Sequence, residues 1–274
     1  MRRGTGSTVP AARAARASPA PWLALVLALG GSAGAHAQLT PIYVVPTEDR
    51  LQAAVPDGRP LHVEFTAVDP VRLRDALGPG AEPVGPDTIR YRIDRDAPRA
   101  RDADATGRWL AASFLIDHDE PAVRALRDAF LESAPAATAA RAAALTGFVG
   151  RRMQATPGQG WEPASLTADA LRGDCTEHAV LTTALARALG IPARVVVGLV
   201  LVRAGDRFET YGHAWAELGD GDRWRRSDAA LCPLAEDARY VPLGELTDEG
   251  PGFMLQVFET FGTWATRVVV LPAD

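Results

Sequence analysis

The stretch Gly173-Asp174-Cys175-Thr176-Glu177-His178-Ala179-Val180-Leu181, continued to Leu189 and closed by Gly190-Ile191-Pro192, carries the signals for both ends of one helix. Asp174 is a good N-cap, and Glu177 three residues on completes a capping box. Leu181, Ala184, Leu185, Ala188 and Leu189 recur at helical spacing and form an apolar face. Gly190 stands at the left-handed position that ends many helices, and Pro192 blocks any continuation. Cys175 is therefore expected at the first helical position. Free backbone N–H groups and the positive end of the helix dipole favour thiolate over thiol there, which lowers the cysteine pKa and raises its reactivity. A cysteine serving only to pack more often lies mid-helix on the apolar side.

Beyond this helix, Ala193 to Val202 is a Val-rich, almost wholly apolar run that reads as a central buried strand. Phe208 to Leu218 and Asp222 to Asp228 flank Gly219-Asp220-Gly221, and Asp-Gly is a strong hairpin signal. A two-residue loop at Asp220-Gly221 pairs Gly219 with Asp222 and so puts His213 directly opposite Asp228. Their Cβ atoms are then expected about 4.5–5.5 Å apart on one face. A four-residue loop centred on the same bond keeps this pairing, and an odd loop breaks it. A carboxylate facing a histidine fixes the imidazole tautomer and stabilises the imidazolium, and the imidazole can take a thiol proton. The competing reading is an incidental cross-strand pair on a solvated face.

Upstream, residues 41–116 hold short strand-like runs separated by Pro, Gly and Asp: Pro41 to Val45, Leu61 to Val68, Ile89 to Ile93, and a further candidate at Trp109 to Ile116. Asp94 to Gly107 is charged and reads as a loop or hairpin tip. From Glu120 the apolar period becomes helical, giving amphipathic helices over Pro121 to Leu131 and Ala136 to Met153. Thr156 to Glu162, rich in Gly and Pro, is a loop before the key helix. A β-rich region over 38–118 and a second domain over 119–274, with a C-terminal extension, are the expected divisions. His62 and His118 are isolated and read as structural or solvated.

The 274 residues are 47 % hydrophobic and 23 % charged, ordinary for a soluble chain able to bury a sizeable core. All 29 basic residues are arginine, and lysine and asparagine are absent. An enzyme of this sequence that joined acyl groups to lysine amines could not use its own side chains as acceptors. Residues 1–37 resemble an export signal: Arg2, Arg3, Arg13 and Arg16, a short apolar run from Trp22 to Leu29, then Ala35-His36-Ala37 as a cleavage site. The apolar run is short against the roughly 20 residues a membrane span needs. Removal of the segment takes four arginines and no acid, moving the formal charge from −5 to −9. Such an acidic protein lacks the basic face that nucleic-acid phosphates require. An exported chain with two cysteines, Cys175 and Cys232, also admits a disulfide. His178 stands three residues from Cys175, but no further close His or Cys completes a zinc set.

Taken in order, Gly173-Asp174-Cys175, Gly190-Ile191-Pro192-Ala193-Arg194, His213-Ala214-Trp215 and Ser227-Asp228 resemble the transglutaminase-like superfamily, which shares its core with papain-type cysteine proteases. The resemblance spans roughly residues 120–232. One departure is Ala229, where many relatives carry proline after the aspartate. The resemblance implies an α+β fold in which a helix carrying the cysteine packs on an antiparallel sheet carrying the histidine and aspartate. It also implies Cys175, His213 and Asp228 as a catalytic triad for acyl transfer on carboxamides through a thioester, with a protein or peptide substrate and neither metal nor cofactor. The Cys175 N–H, helped by the Trp161 indole, is the implied oxyanion donor. A cysteine protease or amidase of the same core, acting on peptide or cell-wall amides, and a non-catalytic binding protein retaining the fold are the alternatives. The oligomeric state has no readable signal.

Overall fold

A computed structural model of the chain describes residues 43–51, 59–95, 99–101, 107–157, 160–232, 238–247, 249–261 and 265–272. The export-signal segment falls outside the described residues. The N-terminal region supplies β1 (Tyr43–Val45), β2 (Thr47–Asp49), β3 (Leu61–Ala67), α1 (Pro70–Leu77), β4 (Glu82–Pro83), β5 (Thr88–Ile93) and β6 (Arg99–Ala100). The middle of the chain forms α2 (Pro121–Leu131), α3 (Thr138–Arg152), β7 (Gln154–Ala155), α4 (Ala164–Ala170), β8 (Arg172–Gly173) and α5 (Cys175–Ala188). Two long strands follow, β9 (Ala193–Ala204) and β10 (Arg207–Asp220), and then β11 (Arg223–Ser227), β12 (Arg239–Glu245), α6 (Phe253–Phe261) and β13 (Ala265–Leu271). The fold is α+β, as expected.

Two sheets organise these elements. The larger runs β12-β9-β10-β11-β6, with β1 also paired to β10, and every pairing in it is antiparallel. The other runs β2-β13-β3-β5-β4. In β3 the residues Leu61, Val63, Phe65 and Ala67 are buried while those between them are half-exposed, the period of a sheet with one covered face. That face packs with Leu73 and Leu77 of α1 against Val197, Leu199 and Leu201 of β9. Farther along β9, Ala193 and Val195 join Ala214 and Ala216 of β10 under α5. The C-terminal strand β13 lies between β2 and β3, parallel to the first and antiparallel to the second.

Helix α5 is buried along almost its whole length, from Cys175 through Arg187, and not on one face alone as its apolar pattern suggests. The sheet covers one side, and α2, α3 and α4 cover the other. Its polar residues are accommodated by partners within the fold. Arg187 donates to the carbonyls of Ala193 and Ala111 and to both carboxylate oxygens of Glu249, at 2.6–3.0 Å.

Two segments differ from their sequence reading. Trp109 to Ile116 is not a strand but a single 3-10 turn over Arg108–Leu110 followed by irregular backbone. The Trp109 ring is clamped against the edge of Trp224 and beneath the guanidinium groups of Arg108 and Arg187, so side-chain anchoring replaces ladder pairing. Within Asp94 to Gly107, residues 99 and 100 form β6, an edge strand on β11 and not a loop. Arg99 reaches Glu217 and Glu245 from there, a long-range ion pairing that local composition does not reveal.

Candidate active site

The β10–β11 hairpin turns at Gly221-Asp222, so that Asp220 pairs with Arg223 and Ala216 with Ser227. This register is displaced by two residues from the expected one. A type I′ loop at Asp220-Gly221 would need positive φ at both residues, whereas a II′ loop needs it only at its first central position, usually glycine. Gly221 takes that place with φ 62°, and Asp220 stays in the strand. A two-residue displacement preserves the face on which each side chain lies. His213 and Asp228 are therefore diagonal and not directly opposite. Asp228, one residue past the end of β11, accepts a hydrogen bond at Oδ2 from His213 Nε2 at 2.7 Å.

A gap in the sheet ladder positions the third residue. On one edge of β10, β1 pairs with residues 210–212 and β11 begins pairing at Ala216. Among the described residues, His213, Ala214 and Trp215 have β9 beside them on one edge and no paired strand on the other. Helix α5 packs on β10, and the Ala214 N–H favours the Cys175 thiolate. Cys175 begins α5 as expected. Asp174 caps it by accepting from Thr176 N at 2.8 Å, and the Asp174 N–H donates to Glu177 Oε2 at 2.9 Å. Replacing Asp174 by alanine should cost about 1 kcal/mol through the lost cap, read as a lower denaturant midpoint with an unchanged m-value.

The three side chains are closed off from solvent, with Cys175 1 % exposed, His213 0 % and Asp228 5 %. Burial opposes ionisation of Asp228, but the imidazolium, the Tyr240 hydroxyl and the Leu231 N–H outweigh it and hold the carboxyl below its ordinary value. Burial also disfavours a charged His213, yet Asp228 and Cys175 together push its pKa up to about 10. For Cys175, burial dominates and raises the thiol, opposed by His213 and the Ala214 N–H. The helix-dipole expectation of a lowered thiol pKa is thus overridden in the closed site by desolvation. His213 Nδ1 is buried without a hydrogen-bond partner, and the Cys175 thiol is the other group that raises the imidazole pKa.

Other predicted residues are placed as follows. Trp161 is half-buried between the two large apolar clusters, its ring 6.0 Å from that of Phe253, and no hydrogen bond from its indole is among the described contacts. His178, one turn along α5 from Cys175, bonds through Nδ1 to the Asp174 carbonyl at 2.7 Å, and burial lowers its pKa. Cys175 and Cys232 are both free thiols. His118 bonds to the Leu110 carbonyl through Nε2, a structural role. Among the described residues no cluster of three or more His, Cys, Asp or Glu could hold a metal, and no helix is long and apolar enough to cross a membrane.

Two participants were not read from the sequence. The Ala214 N–H favours the Cys175 thiolate, an effect with no local signal in the sequence. Tyr240 donates to Asp228 Oδ2 at 2.7 Å from β12, a strand whose Pro242 and bulge obscure the alternating pattern.

Residues 124–229 match the model of the transglutaminase-like superfamily. This segment is transglutaminase-like. Among solved structures, a proposed cysteine protease from Cytophaga hutchinsonii is similar at 22 % identity and TM-score 0.44, over 59 % of this chain and 56 % of that one. The periplasmic domain of TgpA from Pseudomonas aeruginosa is similar at 22 % identity, with TM-scores of 0.38 bound to ethylmercury and 0.37 in a second structure. Those alignments cover 55 % of this chain and 58 % and 56 % of the TgpA chains, so the chain spans little more than half the length of each relative. No curated protein matches. The transglutaminase-like segment ends at Ala229, which leaves Tyr240 and β12 outside it.

The start of the transglutaminase-like helix also carries a proton-sharing cluster. Thr176 Oγ1 lies 2.7 Å from Asp174 Oδ1 and 3.0 Å from Glu177 Oε1. A hydroxyl has one hydrogen, so it satisfies one carboxylate, and the other contact takes a carboxyl proton. Burial and the adjacent Asp174 push the Glu177 pKa from 4.5 up to about 7. The folded chain then keeps a proton that the unfolded chain releases, so this group's contribution to stability falls as pH rises from 4.5 to about 7. Glu177→Gln should remove that decline. Thermal melts at pH 5 and pH 8 are expected to show a gain over wild type at pH 8 and little difference at pH 5.

Proposed function

We propose that this protein is a thiol-dependent acyltransferase acting on carboxamides, with Cys175 as nucleophile, His213 as general base and acid, and Asp228 as the group that orients the imidazole. The observation that carries the reading is the arrangement around His213: Nε2 is committed to Asp228, Nδ1 has no hydrogen-bond partner, and the buried Cys175 thiol acts on the same ring. A histidine held in this way has one nitrogen free to exchange a proton with sulfur.

In the first half-reaction the Cys175 sulfur bonds to the carbonyl carbon of the substrate amide while the thiol proton passes to His213 Nδ1. The tetrahedral intermediate expels the amine, which takes that proton from His213, and a thioester remains on Cys175. In the second half-reaction an amine or water adds to the thioester, giving its proton to His213, and the C–S bond breaks to regenerate the thiol. Backbone N–H groups at the start of α5 suit the developing oxyanion. Against the burial that raises the thiol, the imidazolium and the Ala214 N–H favour thiolate.

The closed site supports transfer over hydrolysis, because a water-excluding cleft protects a thioester until an amine arrives. The export-like N-terminal segment supports action outside the cytoplasm, and the proposed substrates are proteins or peptides. The test is ammonia release from a glutamine-containing peptide, measured with and without an added primary amine. Incorporation of the amine supports transfer, and release by water alone identifies an amidase or protease. No release in either case, together with a Cys175 no more reactive than a peptide thiol, means a non-catalytic protein.

A further inference from the structure

We infer that Tyr240 is a positioning residue that fixes the Asp228 carboxylate from outside the transglutaminase-like segment, an inference that rests on the reading of Asp228 as the partner of His213. Asp228 receives four hydrogen bonds from the described residues. The N–H groups of Ala230 and Leu231 occupy Oδ1 at 3.0 and 3.2 Å, and His213 Nε2 and Tyr240 OH share Oδ2 at 2.7 Å each. The two backbone donors hold one oxygen, but they leave the carboxyl plane free to rock about that anchor. The phenol supplies a second fixed point on the oxygen that serves the imidazole.

The phenol is itself held in place. Its ring meets the edge of Trp215 with centroids 5.2 Å apart, and the Arg226 guanidinium lies 4.0 Å from the ring centre. Trp215 in turn stacks on His213 at 6.1 Å. Burial keeps the phenol protonated, so towards an ionised Asp228 it can act only as donor. Tyr240 reaches this place because β12 pairs with β9, with Tyr240 opposite Val200.

The arrangement has a signed consequence. A donor on Oδ2 withdraws part of the carboxylate charge from His213. Tyr240→Phe should therefore move the His213 titration to higher pH, whereas loosened packing that admitted water would move it lower. The experiment follows the His213 ring nitrogens of the full chain by NMR across pH, in wild type and Tyr240→Phe. An upward shift supports the inference, and an unchanged or downward one overturns it. If Tyr240→Phe does not fold, 3,5-difluorotyrosine at position 240, a stronger donor of nearly the same shape, gives the same decision with opposite sign. Its expected result is a downward shift, and no shift or an upward one overturns the inference.

Alkylation of Cys175 by iodoacetamide adds a second readout. Tyr240→Phe should slow it about tenfold in the wild-type background and less than about twofold in Asp228→Asn, where the anionic acceptor is already gone. Equal losses in both backgrounds would make Tyr240 merely structural. If wild-type Cys175 proves no more reactive than a peptide thiol, the acyl-transfer reading fails, while the NMR titration still decides the role of Tyr240.

Discussion

His213→Ala is expected to slow acyl transfer by about 10⁴-fold or more, and Cys175→Ala to abolish it, with neither variant losing the fold. The size follows from how His213 is used. In the proposed mechanism it takes the Cys175 proton, and its Nε2 is tied at 2.7 Å to Asp228. Removing it also leaves the Asp228 carboxylate buried without its imidazolium, so Asp228 should take up a proton at a higher pH than in wild type. The loss should not be additive: Cys175→Ala/His213→Ala should be no worse than Cys175→Ala alone, because the two act as one unit. Single-turnover acylation, followed by mass spectrometry of the Cys175 adduct, checks the step directly. A His213→Ala enzyme that acylates at a rate near wild type would remove the imidazole from the mechanism.

Gly198→Val should be the most damaging single change to stability near the site. Gly198 faces His213 across the β9–β10 ladder and Pro242 across the β9–β12 ladder. A Cβ there would lie 2.1 Å from the Val241 carbonyl oxygen and 3.0 Å from both the Pro242 Cα and the Trp215 ring. Two of those contacts are backbone atoms of a paired strand, so β12 would have to move away as a unit, carrying Tyr240 off Asp228 and disturbing Trp215. The expected cost is about 3–5 kcal/mol, at the severe end for a single substitution, or a fall of roughly 10 °C in Tm for a chain of this size. Differential scanning calorimetry measures it. A melt within two or three degrees of wild type would show that β12 can yield at that point. The His213 titration of a folded Gly198→Ala protein should then shift upward, in the direction expected for Tyr240→Phe.

The parts of the site governed by local rules were legible in the sequence. Asp174 and Glu177 mark the start of α5, and the capping contacts form as the pattern requires. The apolar run at 193–202 became the central strand β9. The hairpin was read with the correct strands and the correct face but the wrong pair, because the choice between two turn types at neighbouring bonds depends on which residue accepts positive φ. What could not be read was whatever the rest of the molecule imposes. The thiol is raised and not lowered because burial of Cys175 by surrounding elements outweighs the helix end. Trp109 looked like part of a strand because its anchors, Trp224, Arg187 and Arg194, are distant in sequence. Tyr240 had no local signal at all, since a phenol becomes informative only when its acceptor is known.

The placement of β13 bears on how the chain acquires its structure. Residues 268–270 pair with 47–49 on one side, and residues 265–271 pair with β3 on the other. The strand that separates β2 from β3 is thus made after both of them and after every other strand of this sheet. Until it arrives, β2 and β3 have no hydrogen-bonding contact through this sheet, and both expose ladder edges to any other chain nearby. Closing a loop of this length before the sheet can consolidate makes folding slow relative to local helix formation. The helical half around α5 can gather early from near neighbours in sequence. The sheet beside it must wait for β13.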